Sequence, residues 1–382
     1  MIILYLLISN VLIFAGGMNC INAVFKEGVM NLLFPKGKEN ATKLSDDSLW
    51  HLAVNELVEA IAVKDEDKKY IKEVWSYFPN DYETVKYRQE VIKDFMADDS
   101  IGQEMSEILK KLEVLNEYNI HNHFTNNKKS TIWDMIDYME ELDVYIQIIE
   151  DLNALFDARE VHSEGLKMIK DLVNDAVADK INDIKEEVGR MKTDISTIKS
   201  ATIGLNLNPS LEPEEMVVLH FDNVPFKTKL DHPDFAASFS LRKPIVYKEK
   251  SPIMKQLCVD IERELGKNIK LYKKELNKYV DLKGYGIIGI CSDLKYCVLM
   301  AKYAKKLKDK GYDICFPNCK EDSDFVEIKG VYNLRLTERN VEHIEKNDFT
   351  FSKKEKLFIL TGPNRGGKTM LTQGIGIIAF MA

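Results

Sequence analysis

The sequence predicts a mainly α-helical fold with a β-containing portion, which leads into the start of an α/β phosphate-binding domain. Three observations carry this. Apolar residues recur every three or four positions from Ser45 to Ile198 and again from Pro252 to Leu307. Period-two stretches appear between Ser200 and Phe221 and between Phe325 and Phe351. An apolar run, Leu357 to Thr361, enters Gly362-Pro363-Asn364-Arg365-Gly366-Gly367-Lys368-Thr369, which has the form G-x-x-x-x-G-K-T.

The chain has 382 residues, 30% of them charged, with a formal net charge of -8. That length allows two or three domains. The net charge argues against a generally basic nucleic-acid coat and leaves room for a local basic patch. Six cysteines are scattered, none in a CxxC pair. Cys315 and Cys319 flank Pro317 with no histidine nearby, so buried free thiols are expected rather than a zinc site. His121 and His123 sit in a polar turn and are read as solvated.

Residues 1–25 carry no charged side chain, and Met1 to Ala15 are almost wholly apolar. Two readings stand: a membrane anchor, or an upstream extension with the true start at Met18. Residues 26–44 form a linker, polar from Lys36 to Lys43. Ser45 or Asp46 caps a first helix with Leu49, Leu52, Leu57 and Ile61 inward. Pro79-Asn80-Asp81 breaks the chain, and a second helix carries Val85, Val91, Ile92 and Phe95. Ile101 to Leu115 mark a third helix and Ile132 to Phe156 a fourth. Leu166 to Ile198 is a long amphipathic stretch with a stutter at Val173, Val177 and Ile181, expected to pair with another helix.

The period then changes, and a β insertion is expected over about residues 200–246. Helix returns at Ser251-Pro252, with Ile253, Leu257, Ile261, Leu265, Ile269, Tyr272, Leu276 and Tyr279 in one stripe. Lys267, Lys270, Lys273, Lys274 and Lys278 on this helix read as a solvated face. Ser292 is expected to cap a further helix that Gly311 ends. Tyr312 to Phe316, Phe325 to Ile328, Val331 to Leu336 and Leu357 to Leu360 are expected as strands, the last one buried. A domain boundary is expected near Glu321 to Gly330, giving a helical body over 45–325 and a phosphate-binding portion over 326–382.

Phosphate binding needs many donors at close range. Gly362, Gly366 and Gly367 let backbone N–H groups face inward, and the following helix points its positive end at the same spot. Lys368 is expected to reach the β- and γ-phosphates of ATP, and Thr369 to ligate Mg²⁺. No acidic strand end follows the loop, so this chain is not expected to hydrolyse ATP by itself; whether it counts as an enzyme stays open.

At Thr361-Gly362-Pro363-Asn364-x-x-Gly367-Lys368-Thr369 the loop resembles that of the MutS family, the DNA mismatch-repair ATPases related to ABC-type ATPases. Asn347-Asp348 resembles the family segment that approaches the adenine, Tyr87-Arg88-Gln89 the start of its helical core, and the long helices its levers. The resemblance is to a bacterial MutS-like branch without the mismatch-reading domain, and no Phe-x-Glu motif is present. It implies a helical core and lever domain followed by the start of an ABC-type P-loop domain. It further implies ATP with Mg²⁺ at Gly362, Pro363, Asn364, Gly366, Gly367, Lys368, Thr369 and Asn347, and clamping of double-stranded or branched DNA. A homodimer through the complete ATPase domain is implied too. The Walker B acid and signature loop are absent, so the chain reads as a fragment ending inside the ATPase domain. A cytoplasmic location follows, or a membrane-anchored one through residues 1–25. The competing readings are a membrane-tethered helical scaffold with a vestigial nucleotide site, and an ABC- or SMC-like ATPase.

Overall fold

The computed structural model describes residues 31–121, 132–178, 181–210, 213–225, 252–279, 286–320, 325–339, 341, 343–352, 354, 357–363 and 366–381. The apolar segment 1–25 and residues 226–246 of the expected β insertion lie outside these. No helix among the described residues is long and apolar enough to cross a membrane. Among the described residues the architecture is mostly helical with three small two-stranded antiparallel sheets.

The helices begin where the sequence supplies caps. The Ser45 hydroxyl accepts from Ser48 N at 3.2 Å and opens α1 (Asp46–His51). The single helix expected there is two. Ala53 takes a left-handed conformation (φ 54°) between α1 and α2 (Val54–Ile61), so Leu52 and Leu57 both reach the interior. After α3 (Asp65–Trp75), Asp81 caps α4 (Tyr82–Ala97) by accepting from both Thr84 N and Thr84 Oγ1 at 2.8 Å. Next come α5 (Asp99–His121), α6 (Ile132–Asp157), α7 (Glu164–Ala178), α8 (Ile181–Ile195), α9 (Pro252–Leu276), the single turn α10 (Gly286–Gly289) and α11 (Cys291–Asp309). Ser292 lies inside α11 and Ile290 holds the cap position without a side-chain bond; the preceding turn already orders the backbone there. Gly311 ends α11 as expected, at φ 83°.

The strands follow the period-two stretches in part. β1 (Ala41–Lys43) pairs with β2 (Tyr77–Pro79). β3 (Ser200–Leu207) pairs with β4 (Pro213–Asp222), with register shifts at Thr202/Ile203 and Asn206/Leu207. β5 (Phe325–Val331) pairs with β6 (Asn347–Ser352). Three expected strands are corrected. Tyr312 to Phe316 forms none. Leu334 to Leu336 lies in a 3₁₀ turn (Leu334–Glu338), because the Asn333 side chain accepts from Arg335 N at 3.0 Å and tightens the chain. Leu357 to Leu360 carries no strand and is exposed (37–70%) rather than buried; the Phe358 ring meets Phe351 on β6 edge-on at 5.1 Å, without ladder pairing to β5 or β6.

The chain divides into two compact units. The first comprises Met1–Glu113, Asp151–Asn174 and Gly284–Ala382. Its hub is α11, which packs on α2, α3 and α4. Asp293 is buried and accepts from Leu32 N at 2.8 Å and from the Tyr70 hydroxyl. Burial raises the Asp293 pKa, and it pushes the Cys297 thiol up as well. The Trp75 indole donates to the Tyr296 hydroxyl at 2.9 Å. Lys295 joins Asp67 (2.6 Å) and Glu113. Arg88 stacks on Phe34 at 4.3 Å and donates to Leu33 O. Cys291 and Cys297 are buried as expected, but Cys315 is exposed and Cys319 only half-buried, because the segment after Gly311 runs without regular structure.

The second unit comprises Val114–Glu150 and Asp175–Lys283. Here α8 buries Ile181, Ile184, Val188 and Met191, and α9 buries Ile269, Tyr272 and Leu276. The α9 helix is not uniform: Gly266 has φ 51° and ψ -114°.

Candidate nucleotide-binding site

Three glycines allow the loop at 362–369 to curl into the start of α12 (Lys368–Met381). Gly367 sits at φ 75°, a conformation that side chains beyond glycine rarely take. A Cβ at Gly366 would lie 3.0 Å from the Pro363 carbonyl oxygen, which also accepts from Gly366 N at 3.1 Å. The loop therefore closes on itself too tightly for a side chain. The next backbone bond, Leu371 N to Gly367 O at 3.0 Å, is the first of the helix. The N–H groups of Lys368, Thr369 and Met370 precede it and have no acceptor one turn back within the helix. They carry the positive end of the helix dipole.

The Lys368 ammonium folds back over this loop and donates to Gly362 O (2.7 Å) and Pro363 O (2.6 Å). Gly362, Pro363, Gly366, Gly367 and Thr369 are exposed. Asn364 and Arg365 lie outside the described residues. A glycine-bounded loop, helix-start amides, one lysine and one hydroxyl form a donor set that fits a polyphosphate with a divalent cation. Asn347 opens β6 opposite Val331, and Asp348 accepts from Gly330 N at 2.7 Å.

The loop is held by what α12 packs against. One face meets β5 and β6 in an apolar cluster of Val331, Phe351 and Ile375, with Val326, Ile328, Phe349, Leu371 and Ile378 around it. Gly374 permits a close approach: a Cβ there would lie 3.3 Å from Asn333 N. Asn333 Nδ2 donates to Met370 O at 2.8 Å. A second set of contacts ties α12 to the helical body of the same unit. Arg335 donates to Gln373 Oε1 (2.7 Å) and forks onto both oxygens of Glu56 on α2. Gln373 Nε2 donates to His51 O on α1 at 2.8 Å. The Phe380 ring meets Trp75 on α3 edge-on at 5.4 Å. Arg335, with Arg339 also contributing, holds the Glu56 carboxyl below the usual carboxylate range. Glu56, Asn333, Arg335 and Gln373 belong to no motif, so no sequence pattern points to them. The one local signal is Gly374 in a helix, which marks a close backbone approach.

The lysines of α9 and of the turn just after it are partly neutralised locally. Lys273 pairs with Glu262 at 3.4 Å and Lys278 with Glu275, while Lys270 and Lys274 are exposed. The Lys267 side chain lies outside the described ones.

A protein-family model described as the MutS2 N-terminal domain matches residues 80–242. The chain is 27% identical over 140 residues to a DNA mismatch repair protein MutS of Fervidobacterium nodosum, covering 37% of this chain and 15% of that protein. It is 26% identical over 140 residues to a DNA mismatch repair protein MutS of Thermotoga petrophila, covering 36% and 16%. The aligned stretch thus spans about a sixth of the length of these relatives.

Proposed function

From its relationship to the MutS family, we propose that this chain is a nucleotide- and DNA-binding protein of mismatch-repair type. In this reading a helical body over 45–325 precedes the first part of an ATPase domain over 326–382. Gly362, Pro363, Asn364, Gly366, Gly367, Lys368 and Thr369 hold ATP and Mg²⁺, and Asn347 lies toward the base. The helical body clamps double-stranded or branched DNA, and two copies meet through the complete ATPase domain. The observation that carries the reading is the self-closing loop with Lys368 over it at the start of α12.

The roles follow from the donors. The helix-start amides accept no proton and give none up; they orient phosphate oxygens. Lys368 exchanges two loop carbonyls for phosphate oxygens, trading neutral acceptors for charged ones. The Thr369 hydroxyl offers an oxygen to a cation. ATP with Mg²⁺, when bound, would supply binding free energy, and Gln373, Arg335 and Phe380 are the residues that join α12 to α1, α2 and α3.

The test is equilibrium titration with a fluorescent ATP analogue and Mg²⁺. Charge-assisted hydrogen bonds contribute about 1.5–3 kcal/mol, so Lys368→Ala should weaken binding about tenfold or more. Unchanged affinity in this variant would exclude the loop as the site. A parallel titration with duplex and branched DNA should show affinity falling steeply with salt; salt-insensitive or absent binding would remove the DNA half of the proposal.

A further inference from the structure

We infer that α9 is a jointed arm with a bent and a straight state, pivoting at Gly266 and latched in the bent state by the Lys273–Glu262 ion pair. Three observations carry this, none of which involves the nucleotide loop. The backbone of Gly266 is non-helical (φ 51°, ψ -114°), while helix flanks it on both sides from Pro252 to Leu276. Lys273 Nζ lies 3.4 Å from Glu262 Oε1 although the residues are 11 apart. In a straight helix that separation places their Cα atoms about 16 Å apart, beyond the joint reach of the two side chains. The pair can close only if the helix folds back at the glycine.

The third observation is in the sequence. Ile261, Leu265, Ile269, Tyr272 and Leu276 keep three-to-four spacing straight through Gly266. Such a stripe falls on one face only when the helix is continuous. The sequence therefore encodes the straight form and the structure holds the bent one. Glycine makes both accessible: it adopts the left-handed angle freely and still enters a helix at modest cost. A Cβ built at Gly266 meets no packed neighbour within 4 Å, so the site has room for the alanine used below.

The two limbs are held differently. The C-terminal limb is fixed to α8, since Tyr272 donates to Asp194 and Tyr279, just past the helix, donates to Glu187. Opening the latch would thus swing the N-terminal limb while this limb stays in place.

The test places nitroxide labels at exposed Val259 and Lys274, attached through non-natural amino acids because the chain has native cysteines. Pulsed EPR then reads their separation in the full chain. A straight helix sets the Cα atoms about 22 Å apart. The wild type should give a shorter distance, Gly266→Ala should move it to the straight value, and Lys273→Ala should add a population there. Far-UV circular dichroism checks that each variant folds. A wild-type distance already at the straight value, or an unchanged distance in Gly266→Ala, would overturn the joint. An unchanged distribution in Lys273→Ala would overturn the latch and, should Gly266→Ala fail to fold, is the decisive result.

Discussion

Gly165 shows how little room a single residue has at a helix crossing. A Cβ there would lie 2.7 Å from Val91 Cγ2, 3.1 Å from the Tyr87 hydroxyl and 3.2 Å from Leu32 Cδ2. Gly165→Ala should therefore push α7 off α4 and cost about 1–3 kcal/mol, read from the chemical denaturation midpoint. Glu56 is a second such point. Its carboxyl is held low by Arg335, then Arg339, so the folded state binds the proton less readily than the unfolded chain. The stabilisation is present above the unfolded value near 4.5 and is lost as pH falls through the lower folded value. Denaturation midpoints measured across this acid range should show the loss in the wild type and a flatter profile in Glu56→Gln. Residues of this kind explain what the sequence hides. The Ser45 cap is legible because a cap acts within three residues. The Glu56–Arg335 pair spans 279 positions and leaves no local pattern.

At the scale of elements, α8 is laced to two neighbours with one heptad between rungs. Lys185 pairs with Glu150 and Lys192 with Asp143 on α6. Tyr279 donates to Glu187 and Tyr272 to Asp194 on the other side. Each rung moves seven residues forward along α8 and seven back along its partner, so both pairings are antiparallel and in fixed register. The stripe from Leu166 to Ile198 made helix pairing legible; the partners and direction were not, because apolar spacing is blind to them. Burial, with the bond to Asp194 adding, pushes the Tyr272 phenol up to about 12. A raised folded pKa means its contribution is whole below the unfolded value near 10 and lost as pH rises through about 12. Alkaline unfolding followed by circular dichroism should show this loss. Tyr272→Phe should remove it and lower neutral-pH stability by about 0.5–1.5 kcal/mol. The run from Leu357 to Leu360 is the opposite case. Four consecutive apolar residues read as a buried strand, but burial is a property of neighbours, and the one ring contact of Phe358 with Phe351 on β6 leaves all four exposed.

At the scale of the whole molecule, the loop, α12 and the α1–α3 helices belong to one unit. A ligand at Lys368 should then stabilise that unit as a body. By linkage, Mg²⁺-ATP at about 100 times its dissociation constant adds about 2.7 kcal/mol. Scanning calorimetry should show the first unit's transition move up with nucleotide in the wild type and stay in place in Lys368→Ala. The mostly helical composition was legible from periodicity, and so was the helix that follows the loop. The division into two units was not, because each unit gathers segments far apart in sequence.

That gathering has a consequence for how the protein is made. Leu32 N waits for Asp293, 261 residues further on, while Tyr70 and Trp75 wait 223 and 221 residues for Asp293 and Tyr296. At translation rates of about 5–20 residues per second, the start of the first unit leaves the ribosome roughly ten to fifty seconds before its hub helix exists. During that interval Leu32, Leu33, Phe34 and Ile71, all buried in the finished fold, lack their hub helix. Binding of holding chaperones to the nascent chain should therefore fall once α11 has emerged, and slow codons placed before Cys291 should prolong it.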